Sequence, residues 1–92
     1  MKQLVKAIKV EEVEAEGLVG LLGQKVMLMC MNYNYAGTLD GVNDTFVKLS
    51  EKDAKIVYDT GEWTKKDWAD SQSVGQAIYV ERSKIEAFFL AK

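Results

Sequence analysis

The stretch Gly37-Thr-Leu-Asp-Gly-Val-Asn-Asp-Thr-Phe-Val-Lys-Leu49 decides the fold of this chain. It begins and ends in apolar alternation, and its middle, around Asn43 and Asp44, has the composition of a tight turn. This pattern is typical of two adjoining strands of a small, strongly bent sheet. Gly37 and Gly41 favour the bending, because glycine inside a strand marks bends and close approaches.

The segments on either side extend this sheet. Further strands are predicted at residues 25–32, at 46–50 continuing through 54–58 after an interruption, at 78–82 and at 85–90. Residues 15–22 have helical spacing of apolar residues, and Gly23 can end that segment. The sequence therefore predicts a mainly β fold, in which a short N-terminal helix precedes a strongly bent, five-stranded open barrel.

Two segments stand apart from this pattern within a single domain spanning residues 1–92. Residues 1–15 fit either one helical face or a strand broken by a bulge, and an extended arm is favoured. Residues 59–75 form an inserted loop between strands. There Thr64 and Asp67 resemble a capping box, which predicts a helical turn or two within residues 65–72. A long insertion of this kind is often functional or mobile.

Composition excludes several classes of function. The chain of 92 residues has a net charge of −2, no histidine and one cysteine, Cys30, inside an apolar run. Without histidine, a zinc site and the commonest general base are missing. No residue set resembles a catalytic centre, so we expect no enzyme activity, metal or cofactor. No apolar run approaches the length of a membrane span, and no signal peptide is recognised, so a cytoplasmic protein is expected.

Two motifs in this arrangement resemble those of the Sm-like family, over residues 16–90. The glycine-x-aliphatic-x-glycine-apolar frame of the first family motif matches Gly37, Leu39, Gly41 and Val42. Asn43 stands where the family usually has aspartate, and Phe46 stands at its apolar position. The second motif, with apolar residues at both ends, matches Val80 and Ile85. The resemblance implies a barrel of bent strands with a charged kink before the last strand.

The resemblance also implies an RNA site near a ring pore. The family's base-stacking and asparagine positions fall on Thr45 and Val47. Its arginine falls on Glu81 without a gap, or on Arg82 after a shift of one residue, and the sequence leaves that register open. In the bacterial Hfq branch, Arg82 would match the lysine and Ser83 would replace the histidine. The candidate RNA-binding residues are Asn43, Asp44, Thr45, Arg82, Lys84, Tyr33 and Tyr35.

Each candidate also has a purely structural interpretation. Asn43 and Asp44 suit turns because Asx side chains accept main-chain N–H bonds. Arg82 and Lys84 can form a solvated charged corner. Tyr33 and Tyr35 can supply stacking faces for bases or pack at a strand end.

Exposed strand edges invite pairing with another chain. In Sm-like proteins the fourth strand of one subunit pairs with the fifth strand of its neighbour, which implies a hexameric or heptameric ring here. The corresponding edges are residues 77–82 and 86–90, and a monomer or a dimer is the alternative. The candidate interface residues are Ile78, Val80, Phe88 and Phe89, with one phenylalanine expected in the core and the other facing a partner.

Two functions follow from this interpretation. The first is a non-catalytic Sm-like ring that binds single-stranded RNA near its pore. The second is a structural ring that has lost RNA binding and presents its insertion, with Trp63 and Trp68, to a protein partner. The same two tryptophans can instead pack the loop onto the body of the protein or onto a neighbour.

Overall fold

The computed structural model describes residues 17–92, which form seven β-strands and two short 3₁₀ helices. The strands are β1 (Lys25–Cys30), β2 (Asn34–Val42), β3 (Phe46–Leu49), β4 (Lys55–Asp59), β5 (Asp70–Ser73), β6 (Ile78–Glu81) and β7 (Ile85–Leu90). The 3₁₀ helices are Val19–Leu21, before β1, and Arg82–Lys84, between β6 and β7. The prediction of a mainly β fold is confirmed.

The seven strands form one open sheet in which every pairing is antiparallel. Its main path runs β5-β4-β2-β1-β7, while β3 pairs with β2 and β6 pairs with β3. Strand β2 belongs to both arms of the sheet, because residues 34–36 pair with β4 and residues 39–42 pair with β3. A strand shared in this way changes partner at its middle, where the two arms diverge.

The change of partner in β2 occurs at Gly37 and Thr38. A Cβ atom at Gly37 would lie 3.0 Å from the Cα of Ala54, so glycine is what allows the connection between β3 and β4 to approach this closely. Beside it, Asp53 accepts two hydrogen bonds from Thr38: one from the main-chain N–H at 2.9 Å and one from the hydroxyl at 2.6 Å. Hydrogen bonds to a carboxylate are stronger than hydrogen bonds between neutral groups. These two bonds therefore hold the connection between β3 and β4 against β2.

Two apolar clusters lie on opposite sides of β1. Val26 and Leu28 belong to the larger cluster and Met27 to the smaller one, which is the two-residue alternation of a strand. All three side chains are completely buried, so β1 is buried on both faces, which fits its nearly continuous apolar composition. The larger cluster consists of Leu18, Val26, Leu28, Leu39, Val47, Leu49, Ala54 and Val80. The smaller cluster consists of Met27, Ala36 and Val57.

The predicted number of five strands is wrong, because the predicted third strand is two strands, β3 and β4, and because β5 is an additional strand within the predicted insertion. Between β3 and β4 the chain makes a turn in which the N–H groups of Asp53 and Ala54 donate to the carbonyl of Ser50. Between β5 and β6 lies Gly75, whose φ of 72° is in the left-handed region. The turn between β3 and β4 falls at the interruption predicted between residues 50 and 54, whereas β5 lies in a segment predicted as a loop.

The predicted helices are also corrected. The described part of the helix expected at residues 15–22 is only the 3₁₀ helix Val19–Leu21, flanked by Gly17 at φ 68° and Gly23 at φ 84°. Left-handed glycines end helical segments. No helix forms within residues 65–72, because Asp70–Ser73 is strand β5 and pairs with β4. The insertion predicted at 59–75 is thus a loop at 60–69 followed by a strand. The predicted arm, residues 1–15, lies outside the described residues.

Candidate nucleic-acid interface

The side chain of Asn43 holds the turn between β2 and β3. Its Oδ1 accepts hydrogen bonds from the N–H groups of Thr45 and Phe46, at 2.7 and 2.8 Å. The N–H of Asn43 donates to the carbonyl of Phe46 at 3.0 Å. This is the arrangement by which Asx residues stabilise turns. Asp44 is exposed at the tip of the same turn. Asn43 therefore uses its side-chain oxygen within the turn.

The corner between β6 and β7 packs against this turn. Arg82 Nη1 donates to the carbonyl of Asn43 at 2.8 Å, and the main-chain N–H of Arg82 donates to the carbonyl of Thr45 at 2.8 Å. The register explains the proximity, since Glu81 at the end of β6 pairs with Phe46 at the start of β3. The structure thus brings Asn43, Thr45 and Arg82 together, with Asp44 beside them. We call this group the turn–corner site.

The remaining candidates, Tyr33, Tyr35 and Lys84, line a separate cleft of about 290 Å³. It lies between the β1–β2 connection and β6. The ring centroid of Tyr33 is 6.5 Å from that of Tyr35 and 6.2 Å from that of Tyr58. Tyr35 packs against the larger apolar cluster, whereas Tyr33 is half exposed. The seven candidates therefore divide between two places, and Tyr33 is the half-exposed aromatic side chain of the second.

An exposed aromatic pair, which the sequence interpretation missed, lies beside the turn–corner site. The rings of Phe46 on β3 and Tyr79 on β6 meet edge to face, with centroids 5.4 Å apart, and Lys48 Nζ lies 5.9 Å from the Tyr79 centroid. Tyr79 is 58% exposed and Phe46 is 37% exposed. In the run from Phe46 to Leu49 the second and fourth residues are buried, so strand alternation was the signal that could have placed Phe46 and Lys48 on the outer face.

The candidate interface residues occupy two edge strands. Val80 lies in the larger cluster and Ile78 packs against it, so β6 offers a partner chiefly its main chain. On β7, Phe89 packs against the smaller cluster while Phe88 and Leu90 are exposed. One phenylalanine is thus directed to the core and the other is exposed.

The tryptophans of the insertion pack onto the body of the protein. Trp68 contacts the smaller apolar cluster, and the ring of Trp63 meets those of Trp68 and Phe89 at centroid distances of 5.8 and 5.6 Å. Trp63 nevertheless keeps half of its surface exposed. The loop is therefore fixed in place and still presents one tryptophan outward.

Two ionisable groups in the cleft have shifted pKa values. Burial, and secondarily the negative charge of Glu86, raises the pKa of the Cys30 thiol above its ordinary value. Burial also raises the pKa of Tyr35, with smaller contributions from Cys30 and Tyr33. Loss of a proton would create a partly desolvated anion in both cases. Cys30 is consequently a neutral, weakly nucleophilic thiol at neutral pH.

Across residues 17–92, no group of three or more histidine, cysteine, aspartate or glutamate side chains is arranged to hold a metal ion. The same part of the chain contains no helix with the length and apolar character needed to cross a membrane.

No protein-family model, curated protein or solved structure matches this chain. The resemblance to Sm-like proteins therefore depends on the motif residues of the sequence alone.

Proposed function

We propose that this chain is a non-catalytic, Sm-like subunit that assembles edge to edge with copies of itself in the cytoplasm and binds single-stranded RNA at the turn–corner site. The observation that carries the proposal is the placement of β6 and β7. They correspond to the predicted fourth and fifth strands, and they lie at the two ends of the path β7-β1-β2-β3-β6.

Both ends of this path are suited to strand addition. Within residues 17–92, β6 pairs only with β3 and β7 only with β1, which leaves a row of main-chain groups open on each strand. On β7, Phe88 and Leu90 stand opposite Leu28 and Val26. These β1 residues belong to the larger cluster. The exposed side chains of Phe88 and Leu90 therefore lie next to that cluster, where a strand added to β7 can cover them.

Pairing of β6 in one copy with β7 in the next joins two different surfaces. Such heterologous contacts close into a ring when the rotation between copies permits it. A hexamer or a heptamer is the expected product. In a ring the turn–corner site repeats once in each subunit, so weak single contacts would act together.

The turn–corner site has the elements that single-stranded RNA needs. Arg82 provides a guanidinium group for phosphate, and the adjacent rings of Phe46 and Tyr79 provide faces on which bases stack. Lys48 adds a positive charge beside Tyr79. Because the whole chain has a net charge of −2, the attraction must come from this local group of residues.

Light scattering on the full chain tests assembly. We expect a species of six or seven times the 10.3 kDa chain mass. A mass of one chain at every concentration would contradict the ring.

Fluorescence anisotropy with labelled U-rich and A-rich oligonucleotides tests RNA binding. Phosphate contacts predict a steep fall in affinity as salt rises from roughly 0.05 to 0.2 M. Arg82→Gln should weaken binding about tenfold, since one charged contact is lost. Lys52→Gln, which removes an exposed positive charge from the turn between β3 and β4, is the matched control and should have little effect. Absence of binding to every oligonucleotide at low salt would remove the RNA function.

A structural ring with a protein partner is the second candidate. The half-exposed ring of Trp63, held in position by Trp68 and Phe89, favours it. A preordered aromatic side chain binds at low entropic cost and is typical of interface hot spots. A ring mass combined with no oligonucleotide binding would support this candidate.

A further inference from the structure

The insertion encloses the ammonium group of Lys92, which lies two residues beyond β7. Lys92 Nζ donates hydrogen bonds to the carbonyls of Thr60 and Glu62, both at 2.5 Å, and of Asp67 at 3.4 Å. A lysine ammonium has three N–H donors and no acceptor. Each donor can therefore be directed at one carbonyl of the loop.

Two aromatic rings complete this enclosure. Lys92 Nζ lies 4.5 Å from the centroid of Trp68 and 5.5 Å from that of Trp63. The two rings are nearly perpendicular, at 83°. Both distances are within the range in which a cation is attracted by the face of an indole, the best of the aromatic partners.

Contacts that do not involve Lys92 hold the loop in shape. The N–H of Gly61, at φ 65°, donates to Asp59 Oδ1 at 2.9 Å, and the N–H of Lys65 donates to the carbonyl of Glu62 at 3.1 Å. Trp68 is anchored in the smaller apolar cluster. The carbonyls and one ring are thus positioned in part by the loop itself, as in a partly preformed binding site, and the contacts with Lys92 add to the order of the loop.

We propose that residues 60–68 form a recognition site for a primary alkylammonium group, and that Lys92 of the same chain is its resident ligand. The three carbonyls determine the class of ligand. They need N–H donors, which a quaternary ammonium lacks, so the site selects a primary amine although its aromatic rings would attract either cation. This site is separate from the turn–corner site and does not depend on assembly.

Lys92→Ala provides the direct test on the full chain. Propylammonium supplies the carbons and the ammonium group that this substitution removes. Both tryptophans of the chain belong to the site, so intrinsic tryptophan fluorescence reports on it alone. We expect Lys92→Ala to bind propylammonium saturably and at least about tenfold more tightly than the unsubstituted chain does, because the latter is already occupied.

Propyltrimethylammonium and a control variant make the test specific. We expect this quaternary cation to bind Lys92→Ala roughly tenfold more weakly than propylammonium, since it cannot donate to the carbonyls. Lys84→Ala, which removes a lysine outside the loop and keeps Lys92, should bind both cations as weakly as the unsubstituted chain does. Absence of saturable binding, or equal binding of the two cations, would overturn the proposal.

Trypsin cleavage after Lys65 and Lys66 provides a second measurement. Lys92→Met keeps an apolar stem without the ammonium group, and it serves as a second variant if Lys92→Ala fails to fold. The loop of either variant should be cleaved about tenfold faster than that of the unsubstituted chain, because the hydrogen bonds and cation–π contacts are lost. Cleavage rates and tryptophan spectra equal to those of the unsubstituted chain would contradict a binding role for the loop.

Discussion

Arg82 Nη1 donates a hydrogen bond to the main-chain carbonyl of Asn43, 39 positions earlier in the chain, at a distance of 2.8 Å. This contact joins the β2–β3 turn to the β6–β7 corner, and the bond from the Arg82 N–H to Thr45 strengthens the junction. Arg82 therefore supports the shape of the site in addition to supplying its charge. The turn can be tested separately from the charge through Asn43.

Asn43→Ala should destabilise the protein by about 1 kcal/mol, because the acceptor for two N–H groups is lost while water can reach the exposed turn. Asn43→Asp retains an acceptor and should be close to the unsubstituted chain. Asp44→Ala, in the same turn, is the matched control and should change stability by less than about 0.5 kcal/mol. Urea unfolding measures all three variants. Equal effects of Asn43→Ala and Asp44→Ala would show that the side-chain bonds do not stabilise the turn.

The sequence could predict strands where apolar segments are clearly separated. The charged triplet Arg82-Ser83-Lys84 divides two apolar runs, and the structure places a 3₁₀ helix there between β6 and β7. Strand β5, Asp70–Ser73, could not be predicted in this way. All of its residues are polar, and it is ordered by main-chain pairing with β4, which leaves no periodic pattern in the sequence.

The candidate residues show a similar limit. Arg82 and Lys84 are two residues apart in a 3₁₀ helix, in which each residue turns by a third of a circle. Their side chains consequently reach different sites: Arg82 contacts Asn43, whereas Lys84 lines the cleft. The contact between Phe46 and Tyr79 depends on the register of β3 against β6. That register cannot be predicted from the spacing of residues in the sequence.

Gly37→Ala should destabilise the protein by roughly 1–3 kcal/mol, because the new Cβ would lie 3.0 Å from the Cα and 3.3 Å from the N of Ala54, so the main chain there would have to move by a few tenths of an ångström. Gly41→Ala is a matched control in the same strand. A Cβ there would meet only Lys48 Cβ, at an ordinary 4.0 Å. Thermal and urea unfolding measure both variants. If Gly41→Ala were the more damaging of the two, the close approach at Gly37 would not explain the glycine.

Phe88→Ala should weaken assembly without unfolding the subunit. The side chain is exposed on an edge strand, and burying a phenylalanine against a partner contributes about 1.5–3 kcal/mol. Dissociation of the oligomer should therefore begin at a protein concentration about 10- to 100-fold higher than for the unsubstituted chain, as measured by light scattering over a dilution series. Leu22→Ala removes an exposed apolar side chain outside β6 and β7 and should leave the mass unchanged. Identical behaviour of both variants would argue against β7 as an interface.

The raised pKa of Cys30 predicts a specific pH dependence. The folded state binds the thiol proton more tightly than the unfolded state does, so its contribution to stability is complete below the unfolded pKa and is lost as pH rises through the folded pKa. Alkylation by iodoacetamide should consequently reach half its maximal rate at a higher pH in the native protein than in urea. Glu86→Gln should lower that midpoint only partly, because burial is the larger cause and Glu86 the smaller. Glu51→Gln is the control, since Glu51 is exposed in the turn between β3 and β4. A native midpoint at or below the denatured one would show that Cys30 is not shielded as the cleft geometry requires.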